Sequence, residues 1–446
     1  MNAQGAVLRF TRLTEGMLRS RGSGVVAAQM FATQVLVVVL NMASGIATAR
    51  LLGASGRGLF AAATLWPQLL LAVFCFGFPA AITYHIRGTP EARGTIYTAT
   101  LLLGAIMSCV AVAVGLVVVP FAMRSYTPQE ILLAEFCVLA TVTTIFQLLV
   151  KQVAISLHLF TLFNLACLLA PLLYLLLMLA AWLVFGLTVH ASIVSLYAGV
   201  VIATVVNFLQ LRRHCALAVS GLGLWMRRLT SYAMRGAVAD ILSGLSGNID
   251  RLVLVFLITP EMLGLYAVAL GFSRLMLVLQ TVINSFVFSK LVGRPKVEIV
   301  ALHNQVFRLM AYIVLGAAMG SLLIGRQVIM LLYGREFGAA HMMFVVLTFE
   351  AAMTCTAQVT AQTLYALNRP GSASLAQTAG FVTALAGMLL LAPSFGGIGA
   401  AIGMATASFV RGAVLLRAFA RFTESGLPRL LPERSDIAFV RSLFRA

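Results

Sequence analysis

Apolar residues run through this chain in stretches of twenty or more, separated by short polar links that hold most of its arginines. A helix needs about 20 apolar residues, at about 1.5 Å each, to cross a hydrocarbon core about 30 Å thick. Stretches of that length predict spans near 25–48, 59–85, 95–121, 131–157, 160–186, 190–211, 231–258, 262–290, 301–325, 339–366, 373–393 and 397–420. An outer-membrane barrel would instead show alternating segments of about ten residues. The pattern predicts an all-α integral membrane protein of about twelve transmembrane helices, with both termini on one side.

A repeat organises those spans. Gly58-Leu59-Phe60-Ala61 opens the second and Gly264-Leu265-Tyr266-Ala267 the eighth, an offset of 206 residues that also carries spans three to six approximately onto nine to twelve. Copies separated by an even number of crossings run parallel, related by an axis along the membrane normal. Two six-helix lobes in parallel repeat around a central cleft are expected: an N-lobe over 25–211, a basic linker over 212–230 and a C-lobe over 231–421. Outside them lie an N-terminal segment, 1–24, open to an interfacial helix or a frayed tail, and a C-terminal tail, 422–446. The first of these has no apolar core followed by a cleavage site, so no removable signal is expected.

Composition agrees: 61% of residues are hydrophobic and 10% charged, whereas soluble domains carry about a quarter charged. The net charge of +18 does not point to nucleic acid, because it is sorted by loop. The tails and even-numbered links hold 21 of the 31 basic residues, the opposite links only Arg50, Arg57, Arg124, Arg326 and Arg335. Under the positive-inside rule both termini of this multi-pass membrane protein are expected in the cytoplasm.

Five arginines fall within spans instead: Arg235, Arg251, Arg274, Arg308 and Arg411. A charge at the centre of a spanning helix costs about 2.5–3.5 kcal/mol on insertion scales, so such residues face protein or a polar cavity. The seventh span concentrates them, with Asp240, Ser243, Gly247 and Asp250 at three- and four-residue spacing on one expected helical face. Arg235 is open to snorkelling at the cytoplasmic end, and Asp250 with Arg251 to a structural ion pair. Arg274, about twelve residues from either end of its span, is either paired with Glu350 or Asp250 or exposed in a central cavity. Glu350, Thr354, Gln358 and Gln362 form an i, i+4 stripe on the tenth span, while Gln280 with Asn284, and Asn41 on the first span, extend the polar lining or serve helix packing. The predicted binding set is Arg274, Arg251, Arg235, Asn41, Asn284, Gln358 and Gln362, and Asp240, Asp250 and Glu350 are candidates for H⁺ or Na⁺ coupling.

Other chemistry is not signalled. The six cysteines form no CxxC pair, the six histidines no ligand spacing, and neither a phosphate loop nor a GxSxG elbow occurs. No metal, cofactor or catalytic residue is expected, and no link is long enough to house a separate catalytic domain.

Ala49-Arg50-Leu51-Leu52-Gly53, Gly56-Arg57-Gly58-Leu59-Phe60 and Gly77-Phe78-Pro79, together with Asn248-Ile249-Asp250-Arg251 ahead of Gly264-Leu265-Tyr266-Ala267, resemble a known pattern. It is that of the polysaccharide and O-antigen flippases of the multidrug/oligosaccharidyl-lipid/polysaccharide exporter superfamily. The resemblance implies translocation of an undecaprenyl-diphosphate-linked oligosaccharide from the inner to the outer leaflet of a bacterial plasma membrane, by alternating access. It implies that arginines meet the diphosphate, with Arg274 and Arg251 foremost. The partners implied are the lipid-linked glycan, membrane lipids, and the polymerase and glycosyltransferases of polysaccharide synthesis. Two departures stand out: there is no room for the two further spans usual in lipid II flippases, and the first span lacks the acid common in multidrug exporters. An ion-coupled drug or cation exporter and a membrane-embedded glycosyltransferase or polymerase stay as alternatives.

Overall fold

The structure is a computed structural model that describes residues 23–276, 295–367 and 369–424, with Gly426 and Pro428. Among the described residues the regular structure is helical throughout. The helices are α1 (Ser23–Phe74), α2 (Phe78–Gly88), α3 (Arg93–Ala122), α4 (Pro128–Leu139), α5 (Thr141–Ser156), α6 (Phe160–Phe185), α7 (Val189–Arg212) and α8 (Leu222–Ser246). They continue with α9 (Ile249–Leu257), α10 (Pro260–Ser273), α11 (Lys296–Tyr333), α12 (His341–Ala366) and α13 (Pro370–Thr423). Short 3₁₀ turns cover Pro90–Ala92, Arg274–Met276 and Arg335–Ala340.

Eight stretches among the described residues are long and apolar enough to cross a membrane. Two of them, Ala28–Phe74 of 47 residues and Gly371–Thr423 of 53, are each long enough for two crossings. Both turn at a glycine with positive φ, Gly53 at 71° and Gly396 at 58°. The arrangement is consistent with twelve crossings, and the protein is an all-α, multi-pass membrane protein. Three predicted spans are broken. The second stops at Phe74 and resumes as α2, the fourth is interrupted at Ala140 between α4 and α5, and the seventh divides at Gly247 and Asn248. Gln280, Asn284 and the rest of the eighth span beyond Met276 lie outside the described residues.

The chain divides into two compact units, one of residues 1–52 and 59–248 and the other of 53–58 and 249–446. In the first, α6 packs along α7, α5 touches α3, α2 and α7, and α8 packs on α2 and α3. That last contact moves the division. The sequence places residues from 231 onward in the C-lobe, yet α8 is held by the first unit and the boundary falls after Asn248. The helical face expected to join Asp240 to Asp250 is therefore not continuous: α8 ends at Ser246, and the two aspartates belong to different units.

The G-x-P break has a local cause. Gly77 takes φ 61°, a left-handed conformation that a side chain rarely adopts, and a Cβ there would strike the backbone of Ala233 in α8. Pro79 then sits in the first turn of α2, where a missing N–H costs nothing. The carboxylate of Asp240 accepts the Gly77 N–H at 2.8 Å. A negative charge at the start of a helix is favourable, because free N–H groups point at it.

In the second unit, α12 packs between α11 and α13, and α10 lies against α12. The segment 53–58 packs on the first turn of α10. A Cβ on Gly58 would lie 2.9 Å from the Gly264 nitrogen, and one on Gly264 would lie 3.0 Å from the Gly58 nitrogen. The two glycines that mark the repeat are thus in contact, and neither tolerates a side chain.

Candidate functional site

The second unit builds a charged cluster where α9 meets α10. Ile249 opens α9 and Asp250 and Arg251 follow it, so both sit in the first turn of a short helix after the break at Gly247. Asp250 is fully buried. Its Oδ2 accepts a 3.1 Å hydrogen bond from the hydroxyl of Tyr266, a fully buried residue of α10. Its Oδ1 is buried and has no hydrogen-bond partner among the described residues. A buried polar group left in that condition normally costs about 1–3 kcal/mol, so its retention points to a role other than packing.

Arg251 is half-buried beside this carboxylate. It feels Asp250 and Tyr266 as favourable neighbours, and Arg274 and Arg57 as like charges. Arg274 is the C-cap residue of α10 and lies within electrostatic reach of Arg251. Arg57 comes from the segment that packs on α10 and belongs to the same unit. Arg251 thus lies within electrostatic reach of the Asp250 carboxylate and of two further arginines, Arg57 and Arg274. At short range in a medium of low dielectric, grouped guanidinium charges attract an anion strongly.

A second network ties α12 to α13. Glu350 Oε1 accepts from Thr354 Oγ1 at 2.8 Å and from Ser408 Oγ at 2.7 Å, and Arg411 Nη2 donates to Thr354 Oγ1. Glu350 is thus engaged by two hydroxyls of its own helix pair. Gln358 and Gln362 continue the predicted stripe as half-buried residues of α12.

Arg251 follows Asp250 directly and lies within electrostatic reach of Arg274, and Asp250, Arg274 and Glu350 all act on Tyr266. Arg235 is exposed on α8 and Asn41 on α1, both in the first unit. Asp240 serves the start of α2. Asn284 lies outside the described residues. Three contributors escaped the sequence reading. Arg57 looked like a loop charge, Tyr266 looked like a mere repeat marker, and Arg411 was one intramembrane arginine among five. For Arg57 and Tyr266 the signal was present in Gly56-Arg57-Gly58-Leu59-Phe60 and its copy at Gly264-Leu265-Tyr266, since a link packed on the repeat copy carries its arginine to that copy. Among the described residues no group of three or more His, Cys, Asp or Glu is placed to hold a metal ion.

Residues 47–342 match the family model described as polysaccharide biosynthesis protein. Among solved structures, the chain is similar to the lipid II flippase MurJ in an inward closed conformation, with 11% identity, 89% of this chain and 87% of that one covered, and a TM-score of 0.69. It is similar to a multidrug resistance MATE family transporter of the MOP superfamily in an inward-facing conformation, with 16% identity, 87% and 96% covered, and a TM-score of 0.68. A MOP superfamily transporter from Pyrococcus furiosus follows at 15% identity, 90% and 95% covered, and a TM-score of 0.60. At these identities the likeness is one of fold. No curated protein matches the sequence.

Proposed function

Since this chain belongs to the polysaccharide biosynthesis protein family, we propose that it is a flippase carrying a lipid-diphosphate-linked oligosaccharide from the inner to the outer leaflet of the bacterial plasma membrane. The observation that supports this reading is that Arg251, next to the buried carboxylate of Asp250, lies within electrostatic reach of Arg57 and Arg274 in the same unit. Guanidinium groups meet phosphate oxygens with two parallel hydrogen bonds, and two or three of them match the charge of a diphosphate. No covalent bond changes. The protein binds the head group on one side, reverses its access and releases it on the other, while the lipid tail stays in the bilayer.

Asp250 is the coupling residue in this reading. Its buried Oδ1, which has no hydrogen-bond partner among the described residues, is the atom that takes a proton or a Na⁺ ion, and loading it changes the charge presented beside Arg251. Asp240 and Glu350 fit the role less well, each being committed to a hydrogen bond of its own unit. Both termini are cytoplasmic, and a polymerase and glycosyltransferases act before and after the transport step.

The same orphan oxygen favours one second reading, an ion-coupled drug or cation exporter, a class represented among the structures of like fold. One experiment separates the two. Purified protein in vesicles is given a fluorescent short-chain lipid diphosphate oligosaccharide, and its appearance at the opposite leaflet is timed. Movement of the glycolipid that is lost in Arg251→Ala and Arg274→Ala supports the flippase. Movement unchanged in both variants removes the diphosphate role, and export of a cationic dye without glycolipid movement favours the exporter.

A further inference from the structure

A cavity of about 450 Å³ lies between α2 and α8, lined wholly by residues of the first unit, with none of Arg57, Arg251 and Arg274 among them. Trp225, Arg228, Tyr232 and Arg235 follow one another along α8 at steps of three and four residues, so they share a helical face. All four line the cavity, and Tyr84 and His85 of α2 close its other side.

The lining is an aromatic shelf bordered by cations. The rings of Tyr84 and Tyr232 stack with centroids 4.7 Å apart. His85 meets Tyr84 edge-on at 5.1 Å and Trp225 at 5.7 Å. The Arg228 guanidinium lies 4.9 Å over the Trp225 ring. Arg227 adds a third cation, and no carboxylate is among the lining residues. The Nε2 atom of His85 is buried with no hydrogen-bond partner among the described residues. Three arginines, two tyrosines and a tryptophan thus line a space of small-molecule size.

Location restricts the occupant. Both helices run into the links at 86–94 and 212–230, which the distribution of arginines assigns to the cytoplasmic surface. At that depth a mobile ligand is a lipid head group, and basic pockets between spanning helices on this side bind phosphorylated head groups. Tyrosine and tryptophan belong at the same level, since each has an apolar body and a polar tip.

We propose that this cavity binds the phosphate-ester head group of a lipid of the cytoplasmic leaflet. Arg228 and Arg235 grip the phosphate, and the Tyr84 and Tyr232 pair supports the polyol or sugar attached to it. The site does not depend on the translocation reading. Its ligand chemistry is shared by the anionic phospholipids of the bilayer and by a lipid diphosphate sugar.

The test uses full-length protein in detergent and three short-chain probes: dihexanoyl phosphatidylglycerol, a farnesyl diphosphate linked to N-acetylglucosamine, and zwitterionic dihexanoyl phosphatidylcholine. Affinity is read from quenching of tryptophan fluorescence, with Trp225 as the reporter in the cavity. The expected result is binding of at least one anionic probe in preference to phosphatidylcholine, weakened about tenfold or more by the double change Arg228→Ala and Arg235→Ala, and unchanged in Arg417→Ala, which removes an exposed arginine of α13 outside the cavity lining. Binding of phosphatidylglycerol identifies the bilayer as the source, and binding of the diphosphate alone identifies the glycolipid. Should the double alanine variant lose its monodisperse elution peak, Arg228→Gln with Arg235→Gln keeps the length and polarity of the side chains while removing the charge. Failure of both anionic probes to bind, equal binding of phosphatidylcholine, or wild-type affinity in a well-folded double variant would overturn the proposal.

Discussion

The backbone N–H of Gly77 donates to the carboxylate of Asp240 at 2.8 Å, joining the start of α2 to a helix 163 residues later in the chain. A charged residue in an apolar span thereby gains a structural occupation. Replacing Asp240 by alanine orphans the Gly77 amide, with an expected loss of about 1–3 kcal/mol. Asparagine keeps an acceptor oxygen and should recover most of that loss. Thermal unfolding of the two variants in detergent checks the order. An Asp240→Asn protein that unfolds like wild type but has lost ion-driven transport would instead make Asp240 a coupling residue.

Gly58 and Gly264 give a second prediction. Each occupies a place where a Cβ would push into the backbone of the facing segment, so relief requires moving the main chain and not a side chain. Gly58→Ala and Gly264→Ala are each expected to destabilise by at least the 1–3 kcal/mol typical of overpacking, and to lower the yield of folded protein. Gly223→Ala is the control, since a Cβ there meets nothing within 4 Å. Equal yields for all three variants would contradict the contact.

The arginines around Asp250 are expected to act as one group. Arg57→Ala, Arg251→Ala and Arg274→Ala should each slow glycolipid translocation about tenfold or more, since a charge-assisted hydrogen bond contributes about 1.5–3 kcal/mol. Because they share one anion, the double variant Arg57→Ala with Arg251→Ala should lose less than the two single losses combined. Strict additivity in the rate constants would mean that the residues meet different parts of the substrate, or none.

Asp250→Asn separates binding from driving force. The substitution preserves shape and an acceptor for Tyr266, but holds the site neutral at every pH. Transport driven by an imposed proton or Na⁺ gradient should fall to the rate seen without a gradient, while probe affinity rises or holds because the arginines lose their counter-charge. A variant that still accelerates with the gradient would place coupling elsewhere.

Most of the fold was legible because the requirement for it is crude. About twenty apolar residues cross a bilayer, and the sequence signals that directly. The repeat at Gly58 and Gly264 was legible for a related reason, since close backbone approach leaves only one residue type available. The breaks within spans were harder to read. Gly247 and Asn248 end α8 inside an apolar run, and neither length nor hydropathy distinguishes a broken crossing from a straight one. The site was half legible. Arg251, Arg274 and Asp250 stood out as charges in the membrane, whereas Arg57 did not, because its place depends on packing between segments about two hundred residues apart.

Topology gives the last prediction, and direction of transport depends on it. The link holding Val219, which is 74% exposed, is basic and assigned to the cytoplasm, while Gln129 is exposed in the first turn of α4 on the opposite side. Single cysteines at these positions should react differently with a membrane-impermeant maleimide: Gln129→Cys in intact cells, Val219→Cys only after permeabilisation. The native thiol nearest to Val219 gives little background, because burial pushes the Cys215 thiol up against the weaker downward pull of Arg93, and a protonated thiol reacts slowly. The opposite labelling pattern would invert the protein in the membrane. It would also place the arginine-lined cavity between α2 and α8 at the outer leaflet, where a site for collecting a cytoplasmic lipid could not operate.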